Sequence, residues 1–163
     1  MNSIEDCLNN NVTYAEAFSV GSLPAPPRKR LAIVTCMDAR LETGSALGLN
    51  EGDAHIIRNA GGVVTDDVIR SLIISQRLLQ TREIMVLHHS GCGMLTFTDQ
   101  SLKDSLEEET GIRPSFSIET FSNLEDDVRQ SIARIQSSPF IPHKENIRGF
   151  IYKVETGRIH EVK

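Results

Sequence analysis

Two short apolar runs in this chain each end in side chains that can do chemistry. Leu31-Ala-Ile-Val-Thr35 runs into Cys36, Asp38 and Arg40 at alternate positions, and Ile84-Met-Val-Leu87 runs into His88, His89 and Cys92. Two thiolates and one imidazole are a ligand set for tetrahedral zinc, and three protein ligands leave a fourth position for water or substrate. His89-Ser-Gly-Cys92 alone is a weak signal, because a free cysteine is ordinarily a small buried hydrophobe. Its weight comes from Cys36 on a second strand end, since open α/β sheets bind ligands outside the carboxyl ends of their strands. His88 competes with His89 for the metal. Neighbouring strand residues point to opposite faces, so only one of them reaches the ion, and His88 is assigned to packing or to support of the site. Cys7 has neither a partner nor a strand context and is read as an unremarkable residue of the N-terminal segment.

These side chains have to be placed by a sheet. Leu31 to Thr35 shows no polar alternation, which reads as a buried parallel strand, and Pro26-Pro27-Arg28-Lys29-Arg30 bounds it upstream. Thr43 to Leu49 reads as a short helix, Gly52-Asp53 as a turn and Ala54 to Arg58 as the second strand. Thr65 then caps a helix with Asp66 and Asp67 in its first turn and an apolar face of Val68, Ile69, Leu72, Ile73, Leu78 and Leu79. Glu83 to His89 is the third strand. An acidic helix over 99–109 stops at Gly111 and Pro114, and Leu124, Val128, Ile132 and Ile135 mark a longer helix ending near Ser137. Gly149 to Val154 and Arg158 to Val162, joined by Glu155-Thr-Gly157, read as an antiparallel hairpin at a sheet edge. The expected fold class is therefore α/β, with a mostly parallel central sheet flanked by helices.

Ahead of it, Ile4, Leu8, Val12, Ala15 and Phe18 fall at helical spacing, with Ser3 as the expected N-cap. Residues 1–30 read as a helical arm and Pro-rich linker, and residues 31–163 as a single α/β zinc-binding catalytic domain. The arm has too little apolar surface to fold alone, so it is expected to lie on the body or on a partner subunit. A length of 163 residues suits one domain with a real core. The net charge of −5 and the lack of a basic patch argue against a nucleic-acid partner, and no apolar stretch is long enough for a bilayer. The first twenty residues hold Glu5, Asp6 and Glu16 but no Lys or Arg, which fits neither a secretory signal nor a basic transit peptide. A cytoplasmic protein is expected, and there three cysteines favour metal binding or catalysis over a disulfide framework.

Cys36-x-Asp38-x-Arg40, Arg58-Asn59-Ala60-Gly61-Gly62 and His89-x-x-Cys92-Gly93, in that order, resemble the β-class carbonic anhydrases. The likeness runs from about residue 30 to the end, and the continuation through Met94-Leu95-Thr96-Phe97 is similar to the compact microbial members. The resemblance implies that Cys36, His89 and Cys92 hold one Zn²⁺ per chain, with Asp38 and Arg40 as a dyad beside it. It implies reversible hydration of CO₂ to bicarbonate by a zinc-activated water, which Asp38, held ionised by Arg40, would aim. It also implies a homodimer or higher even homo-oligomer with the arm laid across the partner. In some members this aspartate takes the fourth zinc position, and the sequence leaves that open here.

Asn59, Gly61 and Gly62 are candidates for a backbone wall near the metal, although a loop that needs glycine only to turn explains them as readily. Met94 and Leu95, with Phe97, are candidates either for an apolar entrance or for core packing. Gly91 stands where several relatives carry an acidic residue, so hydrogen bonding around the ligands is expected to differ. Two rivals remain. Carbonyl sulfide hydrolysis to H₂S and CO₂ could use the same site, and the motif does not separate it. A non-catalytic zinc-stabilised binding module fits less well, because a structural site is closed by four ligands.

Overall fold

Four parallel strands and one antiparallel strand make a single sheet in a computed structural model that describes residues 2–163. The strands are β1 (Leu31–Cys36), β2 (Ala54–Asn59), β3 (Glu83–His89), β4 (Ile147–Tyr152) and β5 (Ile159–Val162), in the order β2-β1-β3-β4-β5. β1 lies centrally, pairing with β2 from Leu31↔Ala54 to Cys36↔Asn59 and with β3 from Leu31↔Glu83 to Thr35↔Leu87. The chain leaves β1 for β2 on one side and later for β3 on the other. That makes the carboxyl ends of β1 and β3 a topological switch point, where such sheets open a crevice. β5 closes the edge antiparallel to β4, as its hairpin pattern required.

Five helices complete the fold: α1 (Ser3–Glu16), α2 (Thr43–Leu47), α3 (Asp66–Arg77), α4 (Asp99–Thr110) and α5 (Leu124–Ser137), with single 3₁₀ turns at Ala60–Gly62 and Gly93–Leu95. Their ends follow elementary capping chemistry. Thr65 accepts from the Val68 N–H, Asn123 accepts from the Asp126 N–H, and Gly48 and Gly111 end α2 and α4 in the left-handed region. The first helix starts differently from expectation: Asn2, not Ser3, is its N-cap, accepting from the Ile4 and Glu5 N–H groups while Glu5 reaches back to the Asn2 N–H. An asparagine three residues before a glutamate completes a capping box, so Ser3 is drawn into the first turn.

The two sheet faces are covered unequally. On one, Ala32, Val34, Ile84 and Val86 pack with Val68 and Leu72 of α3 and Ile135 of α5, and Val128 adds Ile151 and Val162. On the other, Ile33 and Leu87 meet Leu41 and the short α2, leaving Met85, Phe150, Tyr152 and Ile159 only partly buried. Leu78, expected on the buried face of α3, lies just past its end and is 68% exposed. α1 buries none of its residues: Ile4, Leu8 and Val12, four residues apart on one stripe, are 72%, 63% and 60% exposed. Among the described residues no helix is long and apolar enough to cross a membrane.

α5 comes so close to β4 that a Cβ at Gly149 would overlap Val128 Cγ1 and lie 2.7 Å from Ile132 Cδ1. Gly149→Ala is expected to cost about 1–3 kcal/mol through overpacking and to lower the melting temperature measured by circular dichroism. An unchanged melt would refute this account of the contact.

Candidate metal centre and active site

β1 and β3 deliver Cys36 and His89 to neighbouring strand ends, and the turn after β3 returns Cys92 to the same place. The two sulfurs and a His89 ring nitrogen lie within 4.8 Å of one another, all three residues buried. His88, one residue earlier, faces away. Its Nε2 donates to Asp127 Oδ2 on α5 at 2.6 Å, so the pleat gives one imidazole to the sulfurs and the other to the helix layer.

The His89 ring is set for coordination. Nδ1 donates to the Ser90 carbonyl at 2.8 Å, which leaves a lone pair on Nε2, and Nε2 is buried without a hydrogen-bond partner. A bare acceptor in a 1%-exposed residue is costly unless something occupies it, and a metal ion satisfies it. The sulfurs tell the same story. The Cys36 thiol is pushed down, first by Cys92 beside it and against burial, with help from the Asp38 and Gly61 backbone amides. Cys92 is pushed up by that same contact and by burial. A cation at this spot would neutralise both sulfurs, so the donor set fits a soft-to-borderline divalent ion.

Beside this cluster, Asp38 is gripped by Arg40. Arg40 Nε donates to Oδ1 at 2.9 Å, Nη2 to Oδ2 at 2.7 Å, and the Arg40 N–H to Oδ1 at 2.9 Å. The Arg40 side chain, then its backbone N–H, hold the Asp38 carboxyl well below the usual carboxylate range. Oδ2 lies 3.6 Å from His89 Nε2, so the ionised carboxylate borders the ligand cluster while remaining bound to the guanidinium.

Three supports lay outside the sequence-level site. Arg58 Nε donates to the Cys36 carbonyl at 2.9 Å and Nη2 to the Asp38 carbonyl at 2.7 Å, bracing the loop between Cys36 and Asp38. Arg58 stood inside a recognised motif, but nothing in its type announced a backbone clamp. Arg40 Nη2 also donates to the Gly91 carbonyl at 3.1 Å. The third support is Asp99, which accepts from the Thr120 hydroxyl at 2.7 Å and from the Thr120 and Ile118 N–H groups at 2.9 and 2.8 Å. That knot fixes the segment carrying Ile118 and Phe121, which pack with Met94 and Phe97 against the two cysteines.

The remaining candidates divide. Gly61 and Gly62 are buried in the 3₁₀ turn, and a Cβ on Gly62 would sit 2.9 Å from the Cys36 nitrogen. These glycines therefore serve close approach to the ligand strand as well as turning, with φ of 82° and 70°. Asn59 Nδ2 donates to the Val63 carbonyl and holds that turn, while its Oδ1 is buried without a partner. Met94 joins the apolar wall beside the sulfurs. Leu95 is 37% exposed and lines a separate cavity of about 370 Å³ with Phe97, Thr98, Thr120 and Phe121. Cys7 is exposed on α1, remote in sequence from the cluster.

The carbonic anhydrase family model matches residues 31–159, which takes in the whole sheet up to the start of β5. A protein named β-carbonic anhydrase 1 from Mycobacterium tuberculosis is 57% identical, over 99% of this chain and 99% of its own length. A carbon disulfide hydrolase from Saccharolobus solfataricus is 34% identical over 97% of this chain and 90% of its own. Among solved structures, a carbonic anhydrase from Streptococcus mutans superposes with a TM-score of 0.94 at 46% identity, covering 100% of this chain and 99% of that one. A buried Cys-His-Cys cluster at the switch point of this sheet, in a chain so matched along nearly its full length, belongs to the β-carbonic anhydrase family.

Proposed function

We propose that this chain is a zinc enzyme that interconverts CO₂ and bicarbonate, with Cys36, His89 and Cys92 as ligands of one Zn²⁺ and Asp38–Arg40 as the dyad beside it. Residues 31–163 would be the catalytic unit and residues 1–30 an assembly arm. The observation that carries the reading is the buried Cys-His-Cys cluster with an unsatisfied His89 Nε2 and the Asp38 carboxylate 3.6 Å from it. When bound, zinc supplies a Lewis acid that brings the ionisation of water towards neutral pH.

The chain's own residues do the rest. Asp38 accepts a hydrogen bond from the attacking oxygen nucleophile and fixes the direction of its lone pair. Arg40 keeps Asp38 ionised and holds the carboxylate off the metal. Because Asp38 lies well below the usual carboxylate range, it does not carry the product proton away near neutral pH. Met94, Ile118 and Phe121 give the small uncharged substrate an apolar wall and limit water around it.

The carbon disulfide hydrolase relative favours one alternative, turnover of a sulfur analogue such as carbonyl sulfide at this same site. The deciding experiment runs stopped-flow CO₂ hydration beside sulfide release from carbonyl sulfide on one zinc-loaded preparation. The proposal requires the CO₂ reaction to dominate in kcat/KM. Carbonyl sulfide turnover with CO₂ hydration scarcely above buffer would promote the alternative.

Zinc analysis is expected to give about one ion per chain, lost in Cys36→Ala, His89→Ala and Cys92→Ala but not in Cys7→Ala. Stoichiometric zinc in Cys92→Ala would remove it from the ligand set.

Asp38→Asn is expected to keep its zinc and lose on the order of 10²-fold in kcat. The sign of the pH effect follows from the depressed carboxyl. Asp38 stays ionised until the pH falls below the ordinary carboxylate range, so the loss should persist across about pH 6 to 9, with any shift of the midpoint towards lower pH because a fixed negative charge beside the cluster is gone. A loss confined to the alkaline part of that window would show that Asp38 titrates within it.

The exposed α1 stripe and the half-covered sheet face support an even oligomer in which the arm lies on a second copy. Fully burying each of Ile4, Leu8 and Val12 would contribute about 1.5–3 kcal/mol. Light scattering should report a dimer or larger even assembly for the full chain and a smaller species after removal of residues 2–20. A full-length monomer at micromolar concentration would refute it.

A further inference from the structure

Between the two cluster ligands on the β3 side lies the dipeptide Ser90-Gly91, which is not itself a ligand yet is held from several directions. The Ser90 N–H donates to the Tyr152 carbonyl at 2.8 Å, continuing the β3–β4 ladder one residue past its end. The Ser90 hydroxyl donates to Glu155 Oε2 at 2.9 Å and accepts from the Val154 N–H at 3.0 Å. Its two strong hydrogen-bonding roles are both taken by the β4–β5 turn. The carbonyls of this dipeptide face the other way. Ser90 O accepts from His89 Nδ1 at 2.8 Å, and Gly91 O accepts from Arg40 Nη2 at 3.1 Å. One anchored peptide thus sets the rotation of a ligand imidazole and one donor of the guanidinium that grips Asp38. Gly91 adopts φ of 60°, which lets its carbonyl turn towards Arg40 while Ser90 stays on the strand line.

We infer that Glu155 and Ser90 are positioning residues of the proposed zinc site: the β4–β5 turn clamps the Ser90-Gly91 peptide, and that peptide aims both His89 and the Asp38–Arg40 pair. The inference rests on the zinc reading above and adds to it a remote carboxylate on the antiparallel edge of the sheet. Groups that orient a ligand histidine ordinarily matter at about 10–100-fold in metal affinity or activity. Glu155 accepts from the Ser90 hydroxyl, and its charge also lies near Arg40, whose pKa is raised first by Asp38 and further by Glu155. Loss of the clamp should therefore loosen the metal ligand and the dyad together.

The test uses the full chain loaded with Co²⁺ or Zn²⁺ and follows three readouts: metal release to excess chelator, the visible spectrum of the Co²⁺ form, and CO₂ hydration. Ser90→Ala and Glu155→Ala should each speed metal release and lower kcat by about 10–100-fold and shift the Co²⁺ bands. The double variant should lose less than the two single losses combined, because both changes remove the shared Ser90–Glu155 contact. Ser90→Thr, which keeps the hydroxyl, should restore near-wild-type behaviour. Glu161→Ala is the control, since it breaks the bidentate Arg148–Glu161 pair on the same hairpin without touching Ser90. It should change the melt but neither the Co²⁺ spectrum nor metal release. Wild-type release and spectra in both single variants would overturn the clamp, as would additive losses in the double variant or metal loss in Glu161→Ala equal to theirs. A wild-type protein that binds neither ion would overturn the zinc reading itself, and the clamp with it.

Discussion

Pairing of Thr35 with Leu87 across the two central strands decides which imidazole meets which sulfur. Side chains alternate along a strand, so a slip of one residue would turn His88 towards Cys36 and send His89 to Asp127. Burial makes such a slip expensive. Ala32, Ile33 and Val34 are fully buried, and the same shift would exchange the residues facing α3 and α5 for those facing α2. The Thr35 hydroxyl adds a direct check, donating to the Leu87 carbonyl at 2.7 Å. The geometry of the Cys-His-Cys cluster is thus inherited from the hydrophobic registration of a parallel sheet. Gly62 extends the same constraint to the neighbouring loop, which can lie against Cys36 only where no Cβ intervenes.

Charge is arranged to keep the carboxylate near the cluster and out of it. Asp38 is close enough to compete for a metal, but its oxygens are engaged by a guanidinium in the paired geometry that gives the strongest charge-assisted bonds. Arg40 is more than half exposed, so Coulomb attraction alone would hold it weakly in water. What holds the pair is the backbone around it. Arg58 fixes the carbonyls on both sides of Met37, and the Gly91 carbonyl takes the spare Arg40 donor. The dyad is therefore a loop conformation as much as an ion pair.

That distinction explains what the sequence could and could not disclose. The strands, α3 to α5 and the convergence of Cys36, His89 and Cys92 follow from apolar run lengths, caps and strand-end position, all local signals. Arg58, Ser90 and Glu155 act through backbone carbonyls or across 65 residues of chain, and an arginine, a serine and a glutamate in those places look like ordinary surface residues. Phe121 was invisible for a similar reason. Its place beside Met94 depends on Asp99, which at the start of α4 reads simply as a favourable helix-terminal acid but closes a loop onto Thr120. Leu78 and Ser3 went astray locally, one because the helix ended a residue earlier than its apolar spacing, the other because Asn2 offered the better cap.

The wall that Asp99 positions is also where substrate choice has room to act. CO₂ and its sulfur analogues are linear and uncharged, so a charged pocket cannot sort them, and a ligand set that activates water serves each alike. What differs is size and polarisability within a few ångströms of the cluster, a region lined here by Met94, Ile118 and Phe121. Discrimination by such an apolar surface is ordinarily limited to about 1–3 kcal/mol. Small changes in this wall are then enough to move a scaffold between substrates while leaving its metal ligands alone. The Phe121 ring meets His88 on one side, at 5.8 Å between centroids, and borders Gly61 on the other. A residue seated between the helix-facing histidine and the ligand-facing glycine turn cannot shift without disturbing one of them. The apolar wall and the Cys-His-Cys cluster thus share a boundary, and the knot at Asp99 keeps it in place.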